Sequence, residues 1–125
     1  LSLEQNTTVD SAIEMLLKDR ANEAYVLDHA QRYVGSIRLT DLVAFSRDQN
    51  PADPIGPLAD TDSLRLSPDT SVWSAMQEIK GFVGEAVPIV DEQSRELQGI
   101  IHETDLIDAY MQTLRELRDE ETANA

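Results

Sequence analysis

Apolar and polar residues alternate at the head of each half of the chain, in Leu1-Ser2-Leu3 and again in Leu64-Arg65-Leu66, and this period of two predicts short strands. A helical stripe follows each: Val9, Ala12, Ile13, Leu16 and Leu17 first, then Val72, Ala75, Met76 and Ile79. Hydroxyl residues open both stripes, Thr7-Thr8 and Thr70-Ser71, in the place of N-caps, and Thr7 with Asp10 has the spacing of a capping box. The first helix is expected to close in Lys18-Asp19-Arg20 and the second at Gly81 and Gly84. Ala24-Tyr25-Val26-Leu27 and Val87-Pro88-Ile89-Val90 then read as strands, with Asp28 and Asp91 opening turns. Pro88 has no amide for a ladder, so its strand is expected at a sheet edge or with that position exposed. Third strands end at Ile37 and Ile101. Thr40-Asp41-Leu42 and Thr104-Asp105-Leu106 start second helices, with Thr as cap and Asp in the dipole-favoured first turn.

The two halves are one pattern written twice. Leu1/Leu64, Leu3/Leu66, Thr7/Thr70, Val9/Val72, Ser11/Ser74, Ala12/Ala75 and Asp28/Asp91 match at an offset of 63. After one inserted residue near Ser94, Gly35/Gly99, Ile37/Ile101, Thr40/Thr104, Asp41/Asp105 and Leu42/Leu106 match at 64. Identities on core and turn positions with almost no gaps indicate internal duplication. The expected fold is mixed α/β (α+β), two tandem strand-helix-strand-strand-helix repeats: residues 1–50, a polar linker 51–63 rich in proline, and 64–125 with a longer last helix. That helix carries Leu106, Tyr110, Leu114 and Leu117 on one stripe, and Thr122 to Ala125 are expected to fray. Repeats of about 60 residues are individually marginal, so they are expected to share a core and neither to fold alone. The start at Leu1, inside the pattern and without Met, suggests a fragment excised from a longer protein.

Charge narrows the partners. Ten Lys and Arg face 24 Asp and Glu, and a net charge of −14 repels phosphate backbones and anionic lipid, so nucleic acid is not an expected partner. No apolar run nears the roughly 20 residues of a membrane span, so direct insertion of these residues is not expected either. The absence of cysteine fits a reducing compartment. No nucleophile with a base, Gly-rich phosphate loop or His-Glu metal motif appears, so catalysis is not expected. His29 and His102 lack ligand-spaced neighbours, so no metal site is expected. Trp73 falls at the repeat partner of Asp10 and reads as an interface or surface residue, while Met15, Met76 and Met111 fit helix packing.

Two such repeats, each closing on Gly-x-Ile and then Thr-Asp-Leu, resemble the cystathionine-β-synthase (CBS) domain pair, or Bateman module. The resemblance covers nearly the whole chain and rests on the strand Val87-Pro88-Ile89-Val90-Asp91 and on the spacings Gly35 to Asp41 and Gly99 to Asp105. It implies repeats packed about a pseudo-twofold axis, a homodimer, and a regulatory role in a host enzyme, channel or transporter. It also implies a cleft between repeats that takes adenine nucleotides (AMP, ADP or ATP). Asp41 and Asp105 would hold ribose there. Tyr25, Val26 and Ile37 in one copy, and Pro88, Ile89 and Ile101 in the other, would enclose the base. The family's hydroxyl residue three places before the Asp is Arg38 in the first copy and His102 in the second, so any nucleotide is expected to bind weakly and through the first site.

Asp105-Leu106-Ile107-Asp108-Ala109-Tyr110 and the charged helix after it look like the tail of bacterial CLC-type chloride channels and chloride/proton antiporters. That implies a cytoplasmic module beside a transmembrane domain. A Mg²⁺-sensing domain of a magnesium transporter and a nucleotide-sensing module of an enzyme are the alternatives, the acidic balance being compatible with hydrated Mg²⁺.

Overall fold

The computed structural model describes residues 1–48, 50–80 and 86–123, with side chains of the last helix through Glu121. It divides into two compact units. Its elements are β1 (Ser2–Glu4), α1 (Val9–Lys18), β2 (Glu23–Leu27), β3 (Tyr33–Arg38), α2 (Leu39–Asp48), α3 (Val72–Glu78), β4 (Ala86–Val90), β5 (Leu97–His102) and α4 (Glu103–Ala123), with a 3₁₀ turn at Gly56–Leu58. This is the mixed α/β architecture that the pattern predicts. No helix among the described residues is long and apolar enough to cross a membrane.

The first unit is Leu1–Ser63 together with Gln93–Leu97. β1 lies parallel to β2 and β2 antiparallel to β3, and α1 packs on α2. Thr8, in extended backbone, caps α1 by accepting the Ser11 amide on Oγ1 at 3.2 Å. The cap is therefore Thr8 and not a Thr7–Asp10 box; the Thr7 carbonyl accepts the Ile55 amide instead. Val9, Ala12 and Leu16 are buried with Leu3, Val26 and Ile37, and Ile13 is partly buried. Leu17, expected in the stripe, is exposed because it stands 100° around the helix from Leu16.

The linker is a structural part of this unit rather than a polar joiner. Ile55 is fully buried in the core. The amides of Val9 and Asp10, which have no partner within their own helix, donate to the carbonyls of Asp53 and Pro51 at 2.9 and 3.1 Å. Ile55 and Gly56 return amides to Thr7 and Gln5, and Asp60 exchanges two backbone bonds with Ser36 on β3, at 2.8 and 3.2 Å.

The second unit is Leu64–Glu92 with Gln98–Ala125. β4 lies beside β5, α3 packs on α4, and Ser71 caps α3 through Ser74. Leu66, Ala75, Ile79, Val87 and Leu106 form its core, with Val72 and Met76 partly buried. Each unit buries a cluster of its own. α3 closes at Glu78; Gly81 and Gly84, the expected stop, lie outside the described residues.

One strand expectation is corrected here. Leu64-Arg65-Leu66 is not a strand, because only Leu66 pairs, in a single parallel bridge to Ile89. Pro88 lies, as expected, on an edge strand, since β4 pairs in its sheet with β5 alone; the residue is buried, and its carbonyl accepts the Leu66 amide of the bridge at 2.9 Å.

The second helices also start two residues earlier than expected, so Thr40 and Thr104 are second residues rather than caps, and Asp41 and Asp105 keep their first-turn places. Along α4, Leu106 is buried and Tyr110 partly so, but Leu114 and Leu117 are exposed: packing stops near the second turn. Met15 and Met111 are likewise exposed rather than packed. The helix runs to Ala123, and residues 124 and 125 of the expected frayed tail lie outside the described residues.

Candidate functional site

Each unit has a junction where a strand passes directly into a helix. In the first, β3 ends at Arg38 and α2 begins at Leu39. Antiparallel register places Ala24 opposite Ile37, Tyr25 opposite Ser36 and Val26 opposite Gly35. Tyr25, Val26 and Ile37 are therefore buried sheet residues, while Arg38 and Asp41 are exposed at the junction. Arg38 stands in register with Glu23, and Asp41 follows within one helical turn. The first amide of α2, on Leu39, is taken by the Asn22 carbonyl at 2.9 Å, which anchors the helix start to the head of β2.

In the second unit β5 ends at His102 and α4 begins at Glu103. Pro88 is buried, Ile89 and Ile101 are partly buried, and His102 and Asp105 are exposed. Each junction thus brings an exposed residue, Arg38 or His102, within three positions of an exposed aspartate on a helical first turn. The chemistry differs: Arg38 offers a planar guanidinium donor fork suited to phosphate, and His102 an imidazole ring with two nitrogens.

Among the described residues of the first unit, Tyr25 and Asp28 have shifted pKa values. The Tyr25 phenol is pushed up to about 12, mostly by burial and further by the Glu23 carboxylate and Tyr33. The Tyr25 and Tyr33 rings lie 6.3 Å apart. Asp28, at the turn between β2 and β3, is held below the usual carboxylate range by the Arg32 amide, with further help from the Ala30 amide and the Arg32 guanidinium. Its Oδ1 accepts both amides at 2.9 Å, and its Oδ2 accepts Arg32 Nε at 2.9 Å.

Two hollows lie away from the residues picked from sequence. One of about 320 Å³ opens in the second unit among Trp73, Met76, Ile79, Glu103, Ile107 and Tyr110. Trp73 is 59% exposed and its ring lies 6.0 Å from that of Tyr110. The other, about 370 Å³, runs along α2 over Leu39, Val43 and Arg47. Among the described residues no group of three His, Asp or Glu is placed to hold a metal.

A family model for the CBS domain matches residues 1–48 and 55–112. The chain belongs to the CBS domain family. A curated relative of this CBS pair, the A-adding tRNA nucleotidyltransferase of Aquifex aeolicus (strain VF5), is 26% identical over 115 residues, 92% of this chain but only 14% of that protein. Among solved structures, CbpB in complex with c-di-AMP superposes with a TM-score of 0.77 at 20% identity, covering 96% of this chain and 82% of that one. The soluble part of a magnesium transporter superposes at 0.72 with 26% identity, covering 90% and 44%.

Three contacts of this CBS pair were not picked out from sequence: the Trp73–Tyr110 ring contact, the Tyr33 hydroxyl with Ser63 Oγ at 3.0 Å, and Asp60 on Ser36. The first had a visible signal, since an aromatic at a helical position with a polar repeat partner, Trp73 against Asp10, marks a face that the two copies use differently. The other two depend on linker residues without any repeat counterpart in the chain.

Proposed function

We propose that this CBS pair is a cytoplasmic regulatory module of a larger protein and that it senses an adenine nucleotide at the β3–α2 junction. The observation that carries this is the placement of Arg38 and Asp41 together, exposed, at the end of a buried strand and the start of a helix. Arg38 binds phosphate through charge-assisted bonds, Asp41 accepts from ribose hydroxyls, and the helix start favours the anion. The c-di-AMP complex of CbpB supports the ligand class. The net charge of −14 opposes a ligand with several negative charges, which makes binding weak and leaves the local cation decisive. The junction of the second unit, with His102 and Asp105, is the poorer site.

As host we propose an ion-transport membrane protein. The Asp105–Tyr110 stretch favours a chloride channel or chloride/proton antiporter, with the pair beside its transmembrane domain. The likeness to the soluble part of a magnesium transporter favours a second reading, a Mg²⁺-responsive module. We further propose a homodimer through the exposed apolar residues Val43, Ile107 and Met111 of α2 and α4.

Thermal melts with millimolar AMP, ADP and ATP, and separately with Mg²⁺, test these readings. Ligand at about 100 times its Kd adds roughly 2.7 kcal/mol of stability. A nucleotide shift lost in Arg38→Ala and Asp41→Asn but kept in His102→Ala supports the first junction. A shift lost only in Asp105→Asn overturns that assignment, and a shift with Mg²⁺ alone favours the magnesium reading.

A further inference from the structure

The hollow in the second unit has an aromatic wall beside a carboxylate. Trp73, on α3, is 59% exposed, and its ring lies 6.0 Å from that of Tyr110, on α4, with the planes inclined at 32°. Rings that close admit nothing between them, so the pair acts as one wall. Met76, Ile79 and Ile107 add apolar surface, and the polar members of the lining are Gln77, Lys80 and Glu103. The volume, about 320 Å³, falls at the small end of the range for ligand sites, roughly 300–1,000 Å³.

A tryptophan left more than half in water forgoes most of the burial that such a side chain brings to a core. The fold does not require a ring at this position, because α1 carries Asp10 in the same place. What the ring meets is narrowed by its neighbours. Aromatic faces attract cations through their quadrupole, tryptophan most strongly. The Glu103 carboxylate has no hydrogen-bond or ion-pair partner among the described residues. α3 and the first turns of α4 add Glu78, Asp105 and Asp108, against Lys80, and the chain's net charge of −14 acts in the same direction. A small inorganic cation gains little from apolar walls, and a neutral hydrocarbon gains nothing from Glu103. A cation with an apolar surface uses both.

We propose that the Trp73–Tyr110 hollow binds a small quaternary ammonium ion, with its alkylated head against the two rings and Ile107 and its charge facing Glu103. Such an ion donates no hydrogen bond, which suits a lining with few polar groups. Lys80 is the opposing charge in the lining, so its removal strengthens binding. The site lies in the second unit, apart from Arg38 and Asp41, and does not depend on the nucleotide reading. Ile107 also belongs to the proposed dimer face, so the ion and a second copy compete for it.

Trp73 is the single tryptophan of the chain, so its emission reports on this hollow alone. The test titrates the chain with tetramethylammonium chloride and with choline chloride, sodium chloride holding the ionic strength constant. A saturable change in emission is expected with both, and none with sodium alone or with the uncharged carbon isostere of choline. The Kd is expected to rise about tenfold in Glu103→Gln and in Tyr110→Leu and to fall in Lys80→Gln. Should Tyr110→Leu not fold, Glu103→Gln decides, since that residue is exposed and outside the core. A linear response without saturation overturns the proposal, as does equal binding of the uncharged isostere or a Kd unmoved by Glu103→Gln. A response that vanishes on diluting the protein at fixed tetramethylammonium also overturns it, by assigning the hollow to a contact between two copies.

Discussion

The amide of Tyr25 donates to the carbonyl of Leu1 at 2.9 Å, and the residue in Tyr25's place in the second repeat, Pro88, has no proton to give. The other end of the same ladder repeats the contrast, because Gln5 donates to Leu27 at 2.8 Å and its counterpart is Pro68. Among the described residues of the second unit the two inner bonds of that ladder remain, Leu66 to Pro88 and Val90 to Leu66. Two prolines thus reduce a strand to a bridge.

Restoring the donors is expected to lengthen that bridge. In Pro68→Gln/Pro88→Val, amides 68 and 88 should become protected in hydrogen exchange. The stability change should stay within about 1 kcal/mol, since each bond gained contributes roughly 0.5–1.5 kcal/mol while losing a proline frees the unfolded chain by roughly 0.4–1 kcal/mol. Fast exchange at both positions would show that the prolines are not the cause.

Ile55→Ala should destabilise the first unit by about 2–5 kcal/mol, the range for emptying a fully buried aliphatic site. Urea denaturation followed by circular dichroism measures it. A loss under 0.5 kcal/mol would mean that the linker is not part of the core. For the same reason a fragment of residues 1–50 should show no cooperative thermal transition.

Gly35→Ala and Gly99→Ala should behave differently although the two residues match. The first forces a Cβ onto the Asp60 backbone and should cost about 1–3 kcal/mol, while the second enters open space and should stay within about 0.5 kcal/mol. Paired denaturation curves decide.

Alkaline pH should expose the burial of Tyr25. Its folded pKa, about 12, lies above the ordinary value of 10.0, so its contribution to stability is complete below pH 10 and is lost as pH rises through 12. The ultraviolet titration of the folded protein should therefore show a late phenolate step from Tyr25, and Tyr25→Phe should remove both that step and its share of the alkaline destabilisation. Asp28 runs the other way: its pKa is lowered, so its contribution stands above the ordinary Asp value of 3.8 and fades as pH falls through the folded one. Asp28→Asn should flatten that acid limb.

Self-association should strengthen with salt, because like charges of −14 per chain are screened while apolar contacts are not. Light scattering at rising sodium chloride should show a growing mass, and Val43→Glu with Ile107→Glu should abolish it. A monomer at every salt concentration would remove the proposed dimer.

The strand-helix-strand-strand-helix order of the first unit and the helix-strand-strand-helix order of the second were legible because period-two and period-3.6 patterns were each written twice, while the pattern at Leu64-Arg65-Leu66 hid the prolines that cut its strand to a bridge. The buried face of α1 was readable at Val9, Ala12 and Leu16, but Leu17 was not separable from it, since an apolar residue next to the stripe carries no sign of which side it faces. The linker was misread because its prolines and aspartates look solvated, and nothing local shows that Ile55 fills a core or that Asp53 and Pro51 offer carbonyls to a helix start. At the junctions, Arg38, His102, Asp41 and Asp105 are placed as exposed residues by the strand-to-helix transition itself. The hollow beside Trp73 depends on a long-range approach of α3 to α4 that no short motif encodes.

Tyr33 donates its amide to the carbonyl of Arg95 at 2.7 Å, and Arg32 pairs with Glu96, so the first unit includes five residues from late in the chain. On a ribosome this sets an order of events. The N-terminal half emerges first but cannot close the end of its sheet until residue 97 has been made, and at about 5–20 residues per second that is a wait of several seconds. During it the turn after Asp28 is open to chaperones or to a neighbouring nascent chain, so translation speed between the linker and β5 becomes a determinant of folding yield.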